Sequence, residues 1–108
     1  MKTLFFDVSR ERNPHVGGGR NPFRDPRVRE AVNLALDRRR LVASLPVPAV
    51  PMPQLVPPFI FGRDPDNPPP AADVARARAL LAAAGWPEGF AVTLHTRRIL
   101  LEGAVAIR

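Results

Sequence analysis

The stretch that decides the fold of this sequence runs from residue 21 to residue 38 and reads NPFRDPRVREAVNLALDR. Asp25 is a favourable N-cap, and Pro26 follows at the first helical position, where a missing N–H costs nothing. Apolar residues then recur at helical spacing, which predicts one buried stripe along this helix. The stripe consists of Val28, Ala31, Val32, Ala35 and Leu36. Asp37 predicts both the end of this helix and the cap of a shorter one after it.

Downstream, most of the 14 prolines of the chain fall between residues 46 and 70. Proline excludes regular helix and sheet there and favours extended, polyproline-like backbone. Phe59, Ile60 and Phe61 make the segment too apolar for a free linker, so it is predicted to be a loop packed against a core surface. The same apolar residues argue against a proline-rich ligand of a recognition domain.

A third helix is predicted from Val74 to Ala84, with Asp73 as its N-cap and Gly85 as its stop. A turn follows, and alternating apolar residues from Phe90 to Thr96 then predict a strand. The tail from Ile99 to Arg108 has helical spacing again.

Upstream, Thr3 to Val8 is predicted to be a strand, and Ser9 to Arg24 an exposed loop. The glycine run at residues 17–19 invites a phosphate-binding interpretation, but no Gly-Lys-Ser/Thr follows it. Two strands and three to four helices with a proline-rich loop predict a single α/β unit over residues 1–108. Its unpaired sheet edges predict self-association.

The chain of 108 residues carries a formal net charge of +6, almost all of it from arginine. One interpretation is an arginine-rich surface from a biased composition; the alternative is a small basic nucleic-acid-binding module.

Without cysteine, and with His15 and His95 far apart in sequence, no metal site or cofactor is predicted. No catalytic constellation indicates an enzyme. The N-terminus lacks the apolar stretch of an export signal.

Three phrases resemble one known family. Residues 21–38 resemble its "NPF.D.RVRqAlnlAiDr" stretch, residues 54–58 and 61–65 resemble the proline-bearing loop after it, and residues 75–90 are similar to "KAkaLLaEAGyPdGF". The family is the bacterial solute-binding family 5, the dipeptide- and oligopeptide-binding proteins of ABC importers.

That resemblance implies a periplasmic, two-lobed receptor of the type II periplasmic-binding-protein fold, which closes on a peptide or similar solute and delivers it to an ABC permease. Nucleic acid is then not an expected partner. On the same resemblance, the chain is expected to be a fragment of the large, C-terminal-side lobe. Asp7 matches a cleft-facing family position, so it is predicted to offer a carboxylate to a cationic group of the solute. The alternative is a strand-end aspartate that bonds to nearby backbone.

Overall fold

The computed structural model describes residues 4–17, 19–52, 54, 56, 57 and 59–95. These residues form a short 3₁₀ helix and three α-helices. Their bounds are Pro22–Arg24 for the 3₁₀ helix, Pro26–Ala35 for α1, Arg38–Ala43 for α2 and Val74–Ala83 for α3. None of these helices has the length and apolar character that a membrane crossing requires. The helical tail predicted from residue 99 onward lies outside the described residues.

The predicted helix ends are confirmed. The side chains of Asp25, Asp37 and Asp73 each accept a hydrogen bond from a backbone N–H two or three residues ahead, at 2.9 to 3.0 Å. Pro26 occupies the first position of α1. Gly85 follows α3 with a φ of +87°, the left-handed conformation that glycine adopts without steric cost.

Packing of α1 against α3 forms one of two apolar clusters. Ala31 and Leu34 of α1 and Ala77 of α3 are buried, and Leu80 packs beside them. The small alanines let the two helices approach closely. The backbone N–H of Asp73 donates to the carbonyl of Leu34 at 2.8 Å, which ties the start of α3 to the end of α1.

The buried stripe of α1 differs from its prediction at the end of the helix, and the apolar residue that begins α3 is not buried either. Val74 is 50% exposed. On α1, Leu34 is buried while Ala35 is exposed. Helical spacing identifies which residues share a face, but the crossing of the partner helix decides how far along that face burial extends.

The second cluster is built around Phe23. Buried Val16, Val28 and Ala84 surround this ring, with Phe6, Trp86 and Phe90 packed at the margin. Phe6 stacks on Phe23 with ring centroids 4.9 Å apart, and Phe90 meets Phe23 edge-on at 5.5 Å. Trp86 in turn meets Phe90 edge-on at 5.2 Å. The loop before α1, the end of α3 and the segment after it therefore share one core.

The predicted α/β class with two strands is wrong for the described part of the chain. Residues 4–8 pair with no other described segment, and the only pairing of residues 90–95 is one isolated antiparallel bridge between Val16 and Val92. That bridge is held by hydrogen bonds from Gly17 N to Ala91 O at 2.9 Å and from Thr93 N to His15 O at 2.8 Å. Alternation indicates which side chains share a face, but a strand also requires hydrogen bonds along a neighbouring strand. Here the neighbouring segment is a loop. The described residues thus lack the sheet edges from which self-association was expected.

Two loop predictions also need correction. The segment from Ser9 to Arg24 is not simply exposed, because Asn13, Val16 and Asn21 are buried in it. Conversely, the apolar residues of the proline-rich loop at 59–61 face solvent. Phe59 is 84% exposed, Ile60 50% and Phe61 102%, so the expected packing against the core is not seen at these three positions.

Candidate functional site

Asp7, the predicted ligand-binding residue, is half-buried and held by its neighbours. One carboxylate oxygen accepts hydrogen bonds from the backbone N–H of Ser9 at 3.1 Å and from its hydroxyl at 2.9 Å. The other lies 3.4 Å from Nε of Arg10. The hydroxyl of Ser9 contributes most to lowering the pKa of Asp7, and burial works against it. This geometry matches the alternative interpretation of local bonding, and a ligand-binding role for Asp7 stays a prediction.

Asn21 positions the backbone around Asp7. Its side-chain amide donates to the carbonyl of Asp7 at 2.8 Å and to the carbonyl of Arg10 at 2.9 Å. Its side-chain oxygen accepts from the backbone N–H of Phe23 at 3.1 Å and caps the 3₁₀ helix. With 3% of its surface exposed, Asn21 is satisfied entirely by protein groups. The sequence signal for this role is only an Asn-Pro pair ahead of a helix.

An open hollow of about 730 Å³ lies between the loop before α1 and the end of α3. We call it the arginine hollow. Its lining residues are Glu11, Arg12, Gly19, Arg20, Asn21, Pro22, Arg24, Asp25, Arg27, Ala84 and Trp86. Asp7 is not among them, so the predicted ligand residue and this hollow are separate features.

The two histidines, distant in sequence, are neighbours in the structure. The rings of His15 and His95 meet edge-on with centroids 4.3 Å apart, because the Val16–Val92 bridge brings their segments together. Among the described residues, no group of three or more His, Cys, Asp or Glu side chains is arranged to hold a metal ion. The two histidines thus form a surface pair without further ligands in that part of the chain.

Acid is expected to destabilise this chain through two aspartates. The pKa of Asp25 is lowered, first by the hydrogen bond from the side chain of Arg27, and the pKa of Asp7 is lowered by Ser9. A carboxyl group whose pKa is lower in the folded than in the unfolded chain stabilises the fold above its unfolded pKa. That contribution is lost as the pH falls through the folded pKa. The free energy of unfolding should therefore be level from neutral pH to about 5 and fall below about 4, near the ordinary pKa of aspartate.

Urea titrations at several pH values would measure this dependence. Asp25→Asn keeps an N-cap side chain but removes the ionisation, so its acid slope should be shallower than that of the parent chain. Ser9→Ala should act in the same direction through Asp7. Unchanged slopes in both variants would show that these carboxylates do not control the acid response.

Comparison with known proteins agrees with the phrases seen in the sequence. The family described as "Bacterial extracellular solute-binding proteins, family 5 Middle" matches residues 2–103. The glutathione-binding protein GsiB of Salmonella typhimurium strain LT2 is 45% identical over 74 residues, which are 68% of this chain and 14% of that protein. GsiB of Escherichia coli K12 is 43% identical over the same share of each chain. This chain thus spans about a seventh of the length of these relatives. No solved structure matches it.

Proposed function

This chain belongs to the family 5 bacterial extracellular solute-binding proteins, and from that premise we propose that it forms part of the solute-binding component of an ABC importer. The observation that carries the proposal is the family match over residues 2–103. In this role the component works outside the cytoplasmic membrane, in the periplasm where one exists. It binds its solute without chemical conversion and delivers it to a membrane permease.

Within that component we assign the chain to the large lobe, where it acts mainly as scaffold. The features that match the family phrases are helix caps and packing surfaces: Asp25 and Asp73 start α1 and α3, and Ala31 and Ala77 bring these helices together. Such residues fix the shape of a lobe and leave solute contacts to other positions. Asp7 is the described residue to which we assign a solute contact, because it matches a cleft-facing position of the family; its bonds to Ser9 and Arg10 are the competing local role.

For the solute we propose a small peptide, with glutathione as the first candidate. The support is the similarity to proteins named for glutathione binding, at 43% to 45% identity. The matched stretch is a minor part of each of these proteins. The proposed solute is therefore that of a protein with complete lobes that contains such a stretch.

A chimera tests the scaffold role directly. The 74-residue matched stretch of E. coli GsiB would be replaced by that of this chain, and glutathione binding by the purified chimera measured by titration calorimetry. We expect folding and an affinity within about tenfold of the parent protein, a change of about 1.4 kcal/mol. A chimera that also carries Asn21→Asp is the control, and its free energy of unfolding should be lower than that of the simple chimera by roughly 3–5 kcal/mol. If the simple chimera does not fold or does not bind, the proposed scaffold role is wrong.

A further inference from the structure

The arginine hollow has an excess of positive charge. Four arginines line it (Arg12, Arg20, Arg24 and Arg27) against two carboxylates, Glu11 and Asp25, which leaves a balance of +2. Its volume of about 730 Å³ lies within the usual range of small-molecule sites, roughly 300–1,000 Å³. Charge and size together favour a small anion.

Two of these arginines already have partners. Arg24 lies 3.6 Å from the carboxylate of Glu11. Arg27 lies 2.7 Å from the carboxylate of Asp25 and donates to the carbonyl of Ala83 at 2.9 Å. Each lining carboxylate thus has a partner arginine, and, after the hydrogen bonds from Arg27, the charge of Arg20 also helps to lower the pKa of Asp25. In the described part of the chain, Arg12 and Arg20 form neither a hydrogen bond nor an ion pair.

Arg20 contacts Trp86 without using its hydrogen-bond donors on any described residue. Its guanidinium lies over the ring of Trp86, 5.2 Å from the centroid, in a cation–π contact. Gly85 lies beside the guanidinium: a Cβ added there would be 3.6 Å from Nη2 of Arg20, an ordinary van der Waals contact. The N–H groups of the guanidinium lie in its own plane, in the fork geometry that matches a carboxylate. Arg20 therefore lies at the wall of the hollow with hydrogen-bond donors that no described residue uses, and these donors are available to such an anion.

We propose that the arginine hollow binds the carboxylate group of a small solute through Arg20, with Arg12 contributing the second positive charge. Because Arg24 and Arg27 are each paired with a carboxylate, Arg20 supplies the planar fork that a single carboxylate can engage. The inference uses only groups of this chain and does not depend on the proposed transport function.

The test uses the 108-residue chain and two ligands of the same shape. N-acetylglycine carries the carboxylate, and N-acetylglycinamide is its neutral counterpart. Calorimetry at low ionic strength, where screening is weak, would measure binding. The fluorescence of Trp86, the single tryptophan of the chain, reports from the wall of the hollow. We expect saturable binding of the acid with a change in Trp86 emission, and none for the amide. Equal responses to both ligands, or no saturation, would overturn the proposal.

Three variants locate the site. Arg20→Gln should weaken N-acetylglycine binding about tenfold or more, since it removes the charged donor of the proposed pairing. Arg78→Gln removes the same charge at an exposed position of α3, outside the hollow, and should leave binding unchanged. Arg12→Gln gives an independent measurement if Arg20→Gln perturbs folding. Equal weakening by Arg78→Gln would show that binding depends on the net charge of the chain and not on the arginine hollow. Tighter binding of inorganic phosphate than of N-acetylglycine would refute the carboxylate assignment.

Discussion

Asn21→Asp is expected to lower the free energy of unfolding of this chain by roughly 3–5 kcal/mol, a large share of the 5–15 kcal/mol typical of small domains. The substitution keeps an oxygen that can accept from Phe23 N, so the 3₁₀ cap is preserved. It removes the amide donor that now serves the carbonyls of Asp7 and Arg10. Two carbonyls then face a carboxylate in a site that is 3% exposed in the native chain. Each lost bond leaves a part-buried carbonyl facing an oxygen that cannot donate.

Urea denaturation followed by circular dichroism would measure the loss. Asn67→Asp is the matched control, because it makes the same chemical change at an exposed position and should change the free energy of unfolding by less than about 0.5 kcal/mol. Equal effects of the two substitutions would mean that added negative charge, and not the Asn21 bonds, accounts for the result. A stable Asn21→Asp variant would show that the loop before α1 is not fixed by this side chain.

Phe23→Ala is expected to cost about 3–5 kcal/mol, the usual range for removing a buried aromatic side chain. Phe23 is 7% exposed and contacts the rings of Phe6 and Phe90 at 4.9 and 5.5 Å. Its removal opens a cavity at the point where the N-terminal segment, α1 and the segment after α3 meet. Collapse into that cavity is limited, because Val28 beside it is already 0% exposed and held by α1.

Phe61→Ala supplies the comparison for this experiment. Phe61 is 102% exposed, so the same loss of a benzyl group should change the free energy of unfolding by no more than about 0.5 kcal/mol. Both variants would be unfolded in urea and followed by the fluorescence of Trp86, which packs in the Phe23 cluster. A Phe23→Ala cost as small as that of Phe61→Ala would contradict the shared aromatic core.

Local features of the fold were predictable from the sequence. Asp25, Asp37, Asp73 and Gly85 were predicted to begin or end helices, and each does so. These contacts join residues two or three positions apart, so the residue types alone specify them. The three phrases that resemble the family are also local features, because they consist of helix caps and helix faces in a fixed order along the chain.

The candidate sites were less predictable. Asp7 was selected from the resemblance, and its carboxylate bonds to Ser9 and Arg10 within three positions. The arginine hollow had no sequence signal, since Arg20 and Trp86 are 66 positions apart (86 − 20) and become neighbours only in the folded chain. Scattered arginines in a sequence do not reveal which of them have a carboxylate partner.

By itself, the sequence determined the family, the three helices and their caps. Tertiary structure alone decided that Asn21 and Phe23 are buried, that residues 90–95 pair with a loop instead of a strand, and that Arg20 lies on Trp86. The physical reason is the range of the interactions. A helix satisfies its backbone hydrogen bonds within a few residues, whereas a strand, a buried polar side chain or a binding hollow requires a partner from a distant part of the chain.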